Sequence, residues 1–344
     1  MMGVEDYWSY FAGEARKSGS PLYGFLAERI GGDERLKTLA ARARPGQPRA
    51  NMLLGAVHYL LLKGFPHPLA DYYPSLDGSK TVAEGEPFAL FVDFVGENEA
   101  ELATLIESRT TNTNEVGRSA LLHPGFRFLH AQAPAPLALI EIGPSAGLNM
   151  LWDQYGVRYW REGKEVLALG PQTELVIDCE LRGPQLPVSG PTPAVAQRLG
   201  LELNPNDLED AGNRDWLCAL VWPEHVERLS RLRTAIRVRR KMNLKIVSGD
   251  ALETLMAAIA ATPPKSTVCI YHTVALYQFS SAMKQSLEDL LTVAGLRRQV
   301  FRLGFELAAD MRQLLGLRCY HDGVCEERIL AEGQPHGAWM QWLA

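Results

Sequence analysis

The stretch "PLALIEIGPSAGLNMLWDQYG", residues 136–156, decides how the chain is read. An apolar run, 137–142, ends in Gly143-Pro144-Ser145-Ala146-Gly147 and passes into an amphipathic segment. Strand, glycine turn and helix in that order make a cradle of backbone N–H groups for a nucleotide-like ligand. The same five residues also spell G-x-S-x-G, the turn that raises a nucleophilic serine in α/β-hydrolases. Two features weigh against the serine. A nucleophile turn follows several earlier strands and borrows part of its oxyanion hole from an upstream loop, whereas everything upstream here reads as helix. Glu141 also sets a carboxylate where an oxyanion would have to form, a position that suits a cationic, amine or hydroxyl partner instead.

Working outward, apolar residues at three- and four-residue spacing predict helices over 5–17, 22–30, 33–43, 50–63, 86–95, 98–108 and 114–131. Asn112 and Glu115 form a capping-box pair before the last of them. "AQAPAP" (131–136) breaks the pattern and reads as a linker, giving a helical domain over 1–133 and a second domain over 134–344. Beyond it, short apolar runs at 137–142, 174–180, 199–203, 244–248, 267–273 and 298–305 alternate with helical segments. That alternation predicts an α/β fold with a parallel sheet covered on both faces. Residues 156–192 read as an insertion carrying a small hairpin, "YGVRYW" with "EVLALG". The tail, with its Asp322-Gly323 turn, predicts closing antiparallel strands.

Composition narrows the function classes. With 344 residues, a net charge of −5, 47% hydrophobic and 22% charged residues, the chain reads as globular, with no global pull toward nucleic acid or anionic membrane. The basic run from Arg228 to Lys241 reads as a solvated helix face with cations near its C-terminus. "NMLLGAVHYLLLKG" (51–64) is too short to span a bilayer and reads as a buried helix, and "MMGVEDYWSY" has no signal-peptide pattern. Five scattered cysteines without a C-x-x-C pair imply reduced thiols and a cytoplasmic setting. Cys319 and Cys325 flank His321, but the "HDG" turn explains that run without a metal, and none is expected. The partner implied is a small-molecule substrate, with no nucleic acid and no membrane; oligomeric state is not legible.

The pattern Glu141-x-Gly143-x-Ser145-x-Gly147 resembles the E/D-x-G-x-G-x-G motif of class I S-adenosylmethionine-dependent methyltransferases, with Ser145 in place of the middle glycine. The resemblance implies a Rossmann-like sheet, mostly parallel with an antiparallel C-terminal hairpin, and S-adenosylmethionine as cofactor. It implies further that Gly143, Ser145, Gly147 and Asn149 line the cofactor and that Glu141 holds its amino-acid end. "LKIVSGDA" (244–251) resembles the segment that sets Asp250, followed by Ala251, beside the adenine amine. The ribose acid is either Asp178 or Glu202, with Glu202 the better match to a strand end. "VCIYHTVALY" (268–277) resembles the fourth strand, whose end faces the substrate and where His272 reads as a general base or as a hydrogen-bonded histidine supporting the sheet edge. A longer set of segments, among them "SPLYGFLAERI", "TNTNEVGRSALL", "WLCALVWPEH" and "HGAWMQWL", resembles a bacterial domain-of-unknown-function family with a methyltransferase-like fold, which brings no reaction with it.

Asn114, Glu115 and Arg118 fall on one helical face and read as a polar cleft patch. Arg118 and Glu115 would serve the chemistry, with Asn114 and Arg118 clamping a substrate carboxylate or phosphate; plain capping and intrahelical pairing is the alternative. Trp152 and Asp153 read as helix-packing and surface residues, and Trp222-Pro223-Glu224 as a helix start with proline at its first position. The expectation is a methyltransferase acting on a small molecule under a helical lid. Its alternatives keep the fold but abandon the cofactor, for hydrolysis, intramolecular substitution or non-catalytic metabolite binding.

Overall fold

The computed structural model describes residues 4–111 and 114–344; Asn112, read above as half of a capping box, lies outside them. Contacts divide the chain into two units, residues 1–113 with 208–233, and residues 114–207 with 234–344. In the first unit the helices Val4–Lys17, Pro21–Ile30, Glu34–Ala40, Arg49–Leu62, Pro87–Glu97, Glu99–Ser108 and Ala211–Ala219 enclose one apolar core that includes Trp8, Tyr23, Leu53, Phe94 and Trp216. Helix Arg49–Leu62 buries ten of its residues, which is why its sequence is apolar almost all round. His58 on that helix is fully buried, with Nδ1 on the Ala219 carbonyl at 3.0 Å and Nε2 on Ser75 Oγ at 2.7 Å. Burial lowers its pKa to about 4, so it is a neutral core histidine.

Residues 208–233 therefore return to the helical unit, whereas helix Ser119–Gln132 leaves it. Phe126 of that helix packs 4.7 Å from Trp152 and 5.2 Å from Tyr271, centroid to centroid, within the second unit. Linker-like composition at 131–136 marks only a helix-to-strand turn, not the border between units. Trp222-Pro223-Glu224 does not open a helix either; the next helix runs Val226–Arg240. The Glu224 carboxylate instead accepts from Ser20 Oγ at 2.5 Å and the Leu22 amide at 2.7 Å, satisfying the N-terminus of helix Pro21–Ile30.

The second unit is built on an eleven-stranded sheet: β1 (Leu137–Ile142), β2 (Gly156–Arg161), β3 (Lys164–Leu169), β4 (Val176–Arg182), β5 (Val195–Glu202), β6 (Lys245–Ser248), β7 (Thr267–Thr273), β8 (Val300–Leu307), β9 (Gln313–His321), β10 (Val324–Gly333) and β11 (Trp339–Trp342). Their spatial order is β3-β2-β4-β11-β10-β9-β8-β7-β1-β5-β6. The run β6-β5-β1-β7-β8 is wholly parallel and has the doubly wound order, with its switch point between β1 and β7. β9 and β10 continue it as antiparallel strands, joined by a two-residue turn in which Asp322 and Gly323 both have positive φ. Ala138, Ile140 and Ile142 pack in the cluster formed with helices Ala251–Ala260 and Ser281–Gly295. Helix Ser119–Gln132 covers the other face, where Gly125 lets it approach Leu303 and Leu315. This is the α/β, mostly parallel, partly antiparallel architecture the sequence predicts. The insertion is not a satellite: β4 pairs in parallel with β11, so β2, β3 and β4 extend the same sheet.

The segment Val116–Arg118, a short 3-10 turn, meets the turn 334–337 at closest approach. A Cβ on Gly117 would lie 2.1 Å from the His336 carbonyl oxygen, a backbone atom that cannot swing aside. Gly117→Ala should therefore destabilise the second unit by about 1–3 kcal/mol, as overpacked sites do. Urea unfolding read by tryptophan fluorescence checks this, with Gly13→Ala, whose Cβ would meet nothing within 4 Å at an ordinary φ, as the contrasting case.

Candidate functional site

The glycine turn after β1 is strained and exposes one residue. Gly143, Ser145 and Gly147 all have positive φ, at 69°, 54° and 78°. Gly143 is exposed, while residues 144–149 are buried. No regular α-helix follows: Asn149–Gln154 is a kinked 3-10 stretch, and β2 begins at Gly156. The strand–turn–helix expectation fails here because Trp152 and Tyr155 are drawn fully into the core within two short turns. No helix dipole is therefore aimed at a ligand. The turn's own polar groups are bonded to side chains. The Ser145 amide donates to Glu202 Oε2 at 2.7 Å, Asn206 Nδ2 donates to Ser145 Oγ at 2.9 Å, and the Leu148 amide donates to Asn114 Oδ1 at 2.8 Å. Gly147 is needed for protein packing, since a Cβ there would meet Ile246, Met150 and Arg239 within 3.3 Å.

Glu202 ends β5 beside this turn, and its second oxygen accepts the Asn204 amide at 3.1 Å. Asp178, the other candidate for a ribose acid, stands on β4 across the sheet, exposed and bonded to Arg158 and Trp160. The structure thus brings Glu202, not Asp178, to the glycine turn. Asp250 follows β6 as the N-cap of helix Ala251–Ala260, accepting the Leu252 amide at 2.8 Å, and Ala251 is buried behind it.

Glu141 corrects the expectation attached to it. The side chain is 1% exposed and accepts the Tyr271 hydroxyl at 2.9 Å on the face covered by Phe126. Burial, only partly offset by that hydrogen bond, lifts its pKa to about 8. It is sealed into packed protein instead of meeting the charged end of a ligand.

Asn114, Glu115 and Arg118 form a buried polar web, not an open clamp. Arg118 donates from Nε to the Pro335 carbonyl and from a terminal nitrogen to the Thr273 carbonyl, both at 2.9 Å. Glu115 caps the 3-10 turn through the Gly117 amide at 3.0 Å and lies 3.3 Å from His336 Nδ1. Asn149 joins the same web, 3.5 Å from both Ser119 Oγ and Thr273 Oγ1. The turn 334–337 seats on this segment and turns a cleft patch into internal packing. Nearby Asp153, read as a surface residue, is instead ion-paired to Arg198 at 2.7 Å with both side chains largely buried.

His272 alternates with Tyr271 along β7, so it faces the opposite side of the sheet from Glu141. Its Nδ1 lies 2.8 Å from Glu306 Oε1, and the ring crosses Gly304, where a Cβ would come within 2.5 Å of it. Nε2 is buried with no hydrogen-bond partner, so Ser145 is not joined to this imidazole. The same enclosure corrects the general-base reading of His272, which is 2% exposed. Glu306 is the residue the sequence did not reveal. One of its oxygens also accepts the Ala275 and Leu276 amides at 2.9 and 3.1 Å. Burial pushes its carboxyl up, but the bonds to His272 and these amides outweigh that and hold it below the usual carboxylate range. Together they brace Val274, a β-branched residue in the left-handed region at φ 51°.

Residues 6–342 match, almost end to end, the family described as "Uncharacterized protein conserved in bacteria (DUF2332)". The chain belongs to that family. No curated protein and no solved structure gives a significant match. For this DUF2332 chain, no group of three or more His, Cys, Asp or Glu side chains among the described residues is disposed to hold a metal ion. Likewise, no described helix is long and apolar enough to cross a membrane.

The pKa of Glu141 sets a pH signature. A carboxyl raised to about 8 in the folded state takes up a proton that the unfolded chain, with its ordinary value near 4.5, releases. Its contribution is full below the unfolded value and is lost as pH rises through the folded one. Glu141→Gln keeps a neutral acceptor for Tyr271, so the melting temperature of the variant should rise relative to the parent by several degrees between pH 5 and pH 9. Scanning calorimetry across that range checks it.

Proposed function

We propose that the second unit has a methyltransferase-like Rossmann fold, binds S-adenosylmethionine at the carboxyl edge of its parallel strands and directs the methyl group to a small molecule. One contact carries this reading. Glu202, at the end of the strand beside β1, has its carboxylate bonded to the Ser145 amide of the glycine turn. Those bonds orient the carboxylate and leave further lone pairs for a ribose diol, since each ionised oxygen accepts more than one donor. Gly143, exposed and left-handed, and the Gly249-Asp250 corner, where a Cβ on Gly249 would meet nothing within 4 Å, supply room on either side. The nucleoside end of the cofactor thus fits the residues present, and the amino-acid end does not find Glu141.

When bound, the cofactor supplies an electrophilic methyl group on a sulfonium. The protein's share is positioning: Glu202 and Asp250 hold the nucleoside, and the braced turn after β7 sets the opposite wall. With His272 enclosed, orientation and not proton transfer accounts for the acceleration. A second reading rests on the enclosure of Glu141 and Gly147, which favours a repurposed cleft taking a different metabolite, with or without chemistry.

Thermal shift separates the two. S-adenosylhomocysteine at a hundred times its dissociation constant should stabilise the full chain by about 2.7 kcal/mol. Glu202→Gln, measured against its own ligand-free melting point, should lose that shift, while Glu141→Gln should keep it. No shift with the parent chain favours the second reading.

A further inference from the structure

The three most exposed large hydrophobic side chains among the described residues are Met311 at 75%, Leu203 at 67% and Tyr277 at 63%. All three lie just past the C-terminal ends of parallel strands of one sheet, β8, β5 and β7 respectively, with β1 between the last two. Chance scatters exposed apolar residues singly over a surface; a row along one functional edge is different. Leu307, 51% exposed, is the last residue of β8 at that edge. The Leu276 amide donates to Glu306, so Tyr277 and Leu307 are each one residue beyond the two ends of a single hydrogen bond. Met311 is held at the tip of the β8–β9 turn with φ 68°, its amide on the Ala308 carbonyl at 3.0 Å.

The turn that presents Tyr277 is strained and braced. Val274 is left-handed, and Glu306 ties His272 and two successive amides to hold it so. Strain of this kind costs roughly 1–3 kcal/mol and persists where surrounding contacts over-determine it. The charged groups at this edge are engaged: Arg118 on two backbone carbonyls, Arg312 on Asp310 at 2.7 Å and near Glu332. An anionic guest would find those cations already neutralised or buried.

We propose that Tyr277, Leu307 and Met311 form the acceptor subsite of the reaction, and that the acceptor is an uncharged aromatic or otherwise apolar small molecule lying against the Tyr277 ring. Leu203, after β5 and three strand spacings or roughly 14 Å from β8, marks the far rim. Glu306 is the positioning residue that keeps Tyr277 turned outward. The subsite takes its role from the cofactor reading above, but its binding is measured separately.

Saturation-transfer NMR on the full chain tests it with p-cresol and phenyl phosphate, aromatic probes of similar shape and different charge. p-Cresol should receive saturation and phenyl phosphate should not. Tyr277→Ser combined with Met311→Asn, which retains a residue at ease in the left-handed turn, should weaken p-cresol binding about tenfold while leaving the S-adenosylhomocysteine shift intact. Glu306→Gln should weaken p-cresol less than the double variant and rescue in part what Glu306→Ala loses. Equal binding of both probes, or p-cresol binding unchanged in the double variant, overturns the subsite. Co-sedimentation with phosphatidylcholine vesicles that disappears in the double variant would assign the row to a bilayer and overturn it equally. If p-cresol behaves as expected and S-adenosylhomocysteine gives no shift, the cofactor reading fails and the apolar site stands.

Discussion

One carboxylate keeps the turn after β1 folded. Glu202 accepts the amide of Ser145, whose φ is positive, and the amide of Asn204, so both the glycine turn and the chain leaving β5 are fixed to the same side chain. A serine at that φ is unfavourable by itself, and a charge-assisted hydrogen bond offsets the cost. Around it the strands β1, β5 and β6 end at one level, which gives the sheet a defined carboxyl edge.

Behind that edge the interior is unusually polar. Glu141, Arg118, Asn149, Ser119 and Tyr271 are all buried within the second unit, satisfied by one another and by backbone carbonyls. Breaking one member of such a web leaves its neighbours desolvated and unpaired, so each is stabilised by the presence of the others more than by its own contact. This explains why residue types that suggest a substrate clamp are spent on holding the segment 114–119 against β7 and the turn 334–337. The residues at this edge that lie outside the web are Gly143, Glu202, Asp250 and the exposed apolar side chains.

Much of the fold was legible in the sequence. Strands 137–142 and 267–273 are mostly apolar and buried throughout because they are central and parallel, so their bounds could be read directly. The Asp322-Gly323 turn has the residues its positive φ values demand. What escaped were features set by distant contacts. The segment after the glycine turn has a helical pattern, yet tertiary burial of Trp152 and Tyr155 overrides propensity. Residues 208–233 look like any helical stretch between strands, and contacts such as Trp216 in the helical core, Glu224 on Ser20 and His58 on Ala219 show which core they serve. Glu306 sits in an alternating strand, and nothing local announces that its carboxylate reaches His272, thirty-four positions earlier. For the candidate site, Glu202 was recoverable from its place at a strand end, whereas the enclosure of Glu141 and Arg118 depended on side chains far along the chain.

The position of β11 has a consequence for how the molecule is assembled. This four-residue strand lies between β10 and β4 and is the link through which β4, β2 and β3 join the rest of the sheet. During synthesis β2, β3 and β4 emerge long before it, and β4 waits with a row of unpaired backbone groups facing outward. Such an edge recruits other strands until its partner arrives. Sheet closure is thus a late, non-local step, slow by its topology, and the interval before it is when newly made chains are most exposed to pairing with one another.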